Sequence, residues 1–160
     1  FLSAAGAALN GRQLADVCEV QKSKPLGQGS FGTVWRAKMT ESGTPVAVKA
    51  LNKRKMNDMK VSHKLVELEV AFMQECTGKE WFVNLVDFID ADNTYFIIME
   101  LCDGDLEGVA KECEGRLGER KVMRMMHQML EGIAFLHSKS ICHRDIKPQN
   151  AMIVGRPSSD

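Results

Sequence analysis

Ile141-Cys142-His143-Arg144-Asp145-Ile146-Lys147-Pro148-Gln149-Asn150 is the stretch on which the reading of this 160-residue chain turns. It crowds a histidine, an arginine, an aspartate, a lysine and an asparagine into one short loop. On its own such a polar run fits an ordinary surface loop. It follows the clearest helical pattern in the chain, from about Glu119 to Ser138, where Val122, Met126, Met129, Leu130, Ile133 and Leu136 share an apolar face. Its meaning depends on what lies further upstream.

Leu26-Gly27-Gln28-Gly29-Ser30-Phe31-Gly32-Thr33-Val34 spaces its glycines as Gly-x-Gly-x-x-Gly-x-Val. Glycines so placed let backbone amides approach phosphate oxygens with no Cβ in the way. A glycine-rich turn is the plain alternative. A Walker loop would need Gly-Lys-Ser/Thr after the glycines, and none follows. A dinucleotide-binding turn would need a helix directly afterwards and an acid about 20 residues on. Thr33-Val34-Trp35-Arg36-Ala37-Lys38-Met39 reads instead as a strand entering a hairpin, with Glu41-Ser42-Gly43-Thr44 and Pro45 as the turn.

The return strand, Val46-Ala47-Val48-Lys49-Ala50-Leu51, puts Ala47, Lys49 and Leu51 on one face. A lysine there could reach phosphates lying under the glycine loop, or it could point to solvent from an edge strand. From about Val61 to Cys76 the period becomes helical, with Leu65, Leu68, Phe72, Met73 and Cys76 on the expected apolar stripe. Glu69 falls about 40° from Leu65 on that helix, inside the stripe, while Glu67 faces away. A carboxylate in an apolar stripe must find a partner or lose its charge, and Lys49 is the obvious candidate. Two further strands are expected, Phe82 to Ile89 and Tyr95 to Leu101, joined by Ala91-Asp92-Asn93-Thr94.

These motifs, in this order, resemble eukaryotic protein kinases. His-Arg-Asp-x-Lys-x-x-Asn is similar to their catalytic loop, and the glycine loop and Val-Ala-Val-Lys precede it as in that family. Lys147, two places after Asp145, resembles the serine/threonine class. The resemblance implies an α+β fold: an antiparallel five-stranded small lobe with one helix, followed by a truncated helical large lobe. It implies ATP and Mg²⁺ as cofactors, and Ser or Thr hydroxyls of protein substrates as acceptors. Asp145 would orient or accept the hydroxyl proton, Lys147 would steady the γ-phosphate, and Asn150 would bind Mg²⁺. Lys49 would hold the α- and β-phosphates and be held by Glu69. Gly27, Gln28, Gly29, Ser30, Phe31, Gly32 and Thr33 would cover the phosphates. Leu26, Val34 and Ala47 would roof the adenine, with Met152 as its floor. Met99 would be the gatekeeper, and the backbone of Glu100 and Cys102 would hydrogen-bond the base. His143 would be architectural. Cys102-Asp103-Gly104-Asp105-Leu106 is one residue shorter than the usual family form, which leaves open which residue meets the ribose.

The resemblance covers about Val20 to Val154. Residues 1–19 form an N-terminal extension with no interpretable motif. Residues 20–160 read as a partial kinase domain: small lobe about 20–100, hinge about 100–105, start of the large lobe about 106–160. No Asp-Phe-Gly occurs; Asp87-Phe88-Ile89 lies upstream in a strand pattern. The expectation is the front portion of a kinase, with a catalytically inactive nucleotide-binding or interaction module as the alternative.

Composition agrees with a globular chain. Lys and Arg total 21 and Asp and Glu total 21, so charge favours neither nucleic acid nor a polycation as partner. Hydrophobic residues make up 44%, enough for a core. The five cysteines are scattered without a Cys-x-x-Cys pair, which argues against a zinc site or disulfide framework and for an intracellular setting, cytoplasmic before nuclear. No apolar run approaches the roughly 18 residues a membrane helix needs. Oligomeric state is not legible.

Overall fold

Val46-Ala47-Val48 and Tyr95-Phe96-Ile97-Ile98 are runs of β-branched and aromatic residues, and both become central strands. The computed structural model describes residues 12–155. They fall into two units: the first runs to Thr77 and resumes over Asn84–Leu101, and the second holds Gly78–Val83 and the chain from Cys102 onward.

The first unit begins with a single helical turn, α1 (Leu14–Val17), followed by β1 (Cys18–Gln21), β2 (Gly27–Gln28), β3 (Gly32–Met39) and β4 (Pro45–Asn52). Two helices come next, α2 (Lys53–Asp58) and α3 (Lys64–Cys76), then β5 (Leu85–Asp90) and β6 (Thr94–Glu100). The strands form one antiparallel sheet in the order β1-β3-β4-β6-β5, with the short β2 also paired to β3. The expected five-strand layout is therefore present, with the glycine loop joining β2 to β3.

Both faces of the sheet are apolar. One carries Ala37, Val46, Val48, Ile89 and Ile98, packed with Val17 and Cys18 from the N-terminal segment. On the other, Leu51, Tyr95 and Ile97 pack with Met56 of α2 and with Val66 and Val70 of α3. That two-sided burial explains why β4 and β6 read as nearly continuous hydrophobic runs rather than alternating ones.

Several sequence expectations change here. The segment before Val20 is part of the first unit: β1 starts at Cys18, and Val17 and Cys18 are buried. Arg12 holds Asp87 of β5 through both guanidinium nitrogens. One small-lobe helix was expected and the described residues of the first unit hold three helical segments; Asn52 caps α2, its side chain accepting from the Lys55 N–H at 3.0 Å. β5 starts at Leu85 rather than Phe82.

The expected stripe of α3 is also wrong in part. Leu65 and Leu68 are 57% and 65% exposed, while Val66, Val70 and Cys76 are buried. The buried arc lies about 100° round the helix from the leucines, and Glu69 still falls within it. Burying a valine side chain is worth about 1.5–3 kcal/mol, so Val66 and Val70 set which side of α3 meets the sheet.

The second unit is helical: β7 (Gly104–Asp105), α4 (Leu106–Glu112), α5 (Glu119–Ser138), a 3₁₀ turn (Pro148–Asn150) and β8 (Met152–Ile153), which pairs with β7. α5 has the expected bounds. Leu136 is buried on it, whereas Val122, Met126 and Leu130 of the expected face are exposed. After α5, Ser140 takes a left-handed φ of 59°, and the Ile141 N–H returns to the Leu136 carbonyl, which turns the chain into the polar loop.

Candidate active site

In the first unit, the ladder sets Lys49 opposite Val34 on β3 and Ile97 on β6. Its Nζ lies 2.6 Å from Glu69 Oε1. Strand alternation brings Lys49 to the face that α3 covers, and helical periodicity brings Glu69 to the same place. The two side chains keep 30% and 40% exposure, so the ammonium is tethered yet open to a further anionic partner.

The three loop glycines do different work. A Cβ on Gly32 would stand 2.6 Å from Leu51 Cδ2 and 2.9 Å from the Ala50 carbonyl oxygen, so the core itself requires glycine there. Gly27 would meet nothing within 4 Å and Gly29 only the Gly32 oxygen at 3.7 Å. Nothing among the described residues excludes a side chain at those two positions. The bare backbone at Gly27 and Gly29 suits close approach by a phosphate-bearing ligand. The turn is closed by the Gly29 N–H to the Gly32 carbonyl at 2.8 Å, with Gln28 paired to Thr33 and Ser30 exposed between. Phe31 tucks against the inner core, and its carbonyl accepts from the Asn52 N–H.

Leu26 is half exposed and donates its N–H to the Val34 carbonyl, so these two flank the loop base. Ala47 is buried and pairs with Met99 across β4 and β6. Glu100, the last residue of β6, donates its N–H to the Asn84 carbonyl, and its carboxylate accepts from the Asn84 side chain at 2.8 Å. Leu26, Val34, Ala47, Met99 and Glu100 belong to the first unit, Cys102 and Met152 to the second.

In the second unit, Asp145 gathers the polar loop around itself. Lys147 Nζ lies 2.8 Å from Asp145 Oδ2, and Asn150 Nδ2 donates to the same oxygen and to the Asp145 carbonyl, each at 2.8 Å. The Asp145 N–H donates to His143 Nδ1, and His143 is exposed rather than packed beneath the loop. The Lys147 ammonium, then the Asn150 amide, hold the Asp145 carboxyl below the usual aspartate range. Arg144, between His143 and Asp145, adopts a left-handed φ of 65°, a conformation that L-residues adopt at a cost. The 3₁₀ turn begun by Pro148 carries Asn150 back toward Asp145, which is how residues five apart come to meet.

Asn150 spends its amide hydrogens on Asp145, which leaves its carbonyl oxygen as the atom suited to a hard cation. No group of three or more His, Cys, Asp or Glu among the described residues could hold a metal by itself. Mg²⁺ commonly takes one or two protein oxygens and completes its shell with phosphate and water, and Asn150 fits that pattern. Asp105 uses one carboxylate oxygen to cap α4, accepting from the Gly108 N–H at 2.8 Å.

Sequence reasoning did not single out His63, Tyr95, Asn84 or Arg12, each of which makes a cross-element hydrogen bond. The five cysteines are free, and no helix among the described residues is long and apolar enough to cross a membrane.

The sequence matches the protein kinase domain over residues 20–158, and the chain belongs to that family. Its relatives include serine/threonine-protein kinase dkf-1 of Caenorhabditis elegans, 32% identical over 142 residues, and serine/threonine-protein kinase 33 of Mus musculus, 34% identical over 129. These matches take in 88% and 80% of this chain but only 20% and 26% of the relatives' lengths. The crystal structure of Rad53 1-466 in complex with AMP-PNP superposes with a TM-score of 0.69 at 31% identity, covering 83% of this chain and 33% of that one.

Proposed function

We propose that this chain carries the ATP-binding elements and the catalytic loop of a serine/threonine protein kinase, which moves the γ-phosphoryl group of ATP to a Ser or Thr hydroxyl of a protein. The observation that carries the reading is the Asp145 cluster: a carboxylate kept ionised by Lys147 and Asn150 on an exposed loop. Family membership and the nucleotide analogue bound by the Rad53 structure support it.

Asp145, ionised, accepts a hydrogen bond from the incoming hydroxyl and orients its oxygen for attack. As the bond from the hydroxyl oxygen to the γ-phosphorus forms, the bond from that phosphorus to the β,γ-bridging oxygen breaks; the hydroxyl proton passes to the Asp145 carboxylate and ADP leaves with the electron pair of the broken bond. Lys147 supplies a mobile positive charge beside that carboxylate, suited to the transferring phosphoryl oxygens. Lys49, held by Glu69, binds the remaining phosphates, and the glycine-loop backbone, with no Cβ at Gly27 and Gly29, covers them. Mg²⁺, held through Asn150, would neutralise phosphate charge. Protein substrates follow from the family.

The test is phosphate transfer from labelled ATP to Ser/Thr peptides by the full-length protein and by its Lys49→Met and Asp145→Asn variants. Transfer by the parent and its loss in both variants supports the reading. Retained transfer in either variant sinks the role given to that residue. ATP-dependent thermal stabilisation of the parent without any transfer would favour a non-catalytic nucleotide-binding module.

A further inference from the structure

Helix α3 is tied to the sheet at its start as well as at Glu69. We infer that the first tie, His63 to Tyr95, is a positioning pair that sets the Lys49–Glu69 contact; the inference rests on the reading of Lys49 as a phosphate ligand.

His63 is the N-cap residue of α3. Its Nδ1 lies 3.0 Å from the Tyr95 hydroxyl and its Nε2 2.7 Å from Asn57 Oδ1. The Asn57 oxygen only accepts, so Nε2 carries a hydrogen, and in the neutral imidazole the Tyr95 hydroxyl donates to Nδ1. One imidazole thereby joins β6, the start of α3 and the end of α2.

Tyr95 is a firm post. It is buried, stacked on Phe88 at 6.0 Å between ring centroids and 18° between planes, and lies beneath the Lys53 ammonium at 4.4 Å. Lys53 is in turn paired with Asp90. The His63 ring meets Tyr95 edge-on, with centroids 5.7 Å apart.

The two ties fall on the same sheet face. Tyr95 pairs with Leu51, and Ile97 pairs with Lys49. Two residues of strand separate the posts, about 7 Å. His63 and Glu69 are six residues apart, about 9 Å along the helix axis. Val66, between them, and Val70, just past Glu69, are the buried valines of α3, and apolar burial is non-directional. Hydrogen bonds are directional and penalise a shift of the helix. The Lys49–Glu69 pair is itself a third or so exposed, where water competes and an ion pair alone holds geometry weakly. The His63–Tyr95 tie supplies the register that the valines cannot.

The experiment uses the full-length protein with Tyr95→Phe, which keeps the ring contacts and removes the hydroxyl; His63→Ala; and His63→Asn, whose side-chain oxygen can replace Nδ1 as acceptor. Hydrogen exchange of the α3 amides and the transfer kcat and KM for ATP are both measured. Tyr95→Phe and His63→Ala should speed α3 exchange and lower kcat/KM about five- to tenfold, the scale of one hydrogen bond, and His63→Asn should restore most of both. In a Glu69→Gln background, Tyr95→Phe should cost nothing further in kcat/KM. Unchanged α3 exchange in Tyr95→Phe, or a kinetic loss that multiplies with that of Glu69→Gln, overturns the inference. If the parent transfers no phosphate, the kinase reading fails, and α3 exchange still decides the tie.

Discussion

The two units keep their chemistry on opposite footings. The first holds both apolar clusters, and its Lys49–Glu69 pair is built on strands and a helix whose undersides are closed. In the second, only Val109 and Leu136 among the described residues are buried hydrophobics, and every residue from Cys142 to Asn150 is exposed. The lysine is therefore placed by packing. The aspartate is placed by local hydrogen bonds within its own loop, from Lys147, Asn150 and His143. Charge geometry supported by a core resists change, while geometry supported by a loop is tuned by its immediate neighbours.

The largest effect that would sharpen this contrast is at Asp145. Asp145→Asn should lower transfer about 10²- to 10⁴-fold, the usual weight of a positioned acid–base group, and leave the melting temperature unmoved. A large drop in melting temperature would mean that the loop is a structural keystone and would erase the distinction.

Next comes the core itself. Ile97→Ala, at a fully buried position beside Lys49's strand, should destabilise the first unit by about 2–5 kcal/mol in denaturant melts. Leu136→Ala, with fewer buried neighbours to hold a cavity open, should fall at the low end of that range. Equal losses would contradict the contrast between the units.

A smaller split is expected inside the glycine loop. Gly32→Ala should cost about 1–3 kcal/mol through overpacking against Leu51 and Ala50. Gly29→Ala should leave stability near that of the parent and weaken ATP binding, read by thermal shift with and without nucleotide. If Gly29→Ala destabilises as much as Gly32→Ala, the open space at Gly29 serves the fold rather than a ligand.

The smallest change is in the titration of Asp145. Its carboxyl is depressed, so it stays ionised as pH falls through the ordinary aspartate range, and whatever stability the ionised form lends is lost only at lower pH. Lys147→Ala removes the largest cause and should raise the Asp145 midpoint measured by carboxyl-carbon NMR. An unmoved midpoint would show that Asn150 and His143 suffice.

Much of the site was legible from spacing. The glycine loop, the strand lysine and the polar loop each sit where their motifs put them, because a strand alternates and a tight loop closes over few residues. Glu69 was legible too, as a charge inside an apolar arc. The arc itself was misjudged: leucines are more hydrophobic than valines, so the pattern favours Leu65 and Leu68, yet Val66 and Val70 are the buried pair. Helical periodicity names a set of faces, and contacts from β4 and β6 choose among them. The N-terminal segment was illegible for a related reason. Arg12 and Asp87 are 75 residues apart, and no local pattern links them.

What the sequence determined by itself was the list of candidate site residues and their order, since those depend on backbone periods and on residues a few places apart. Tertiary structure alone decided which arc of α3 meets the sheet, which glycine the core demands, and that His63 meets Tyr95. Those outcomes depend on contacts between distant parts of the chain, and such contacts exist only once the sheet has set its register.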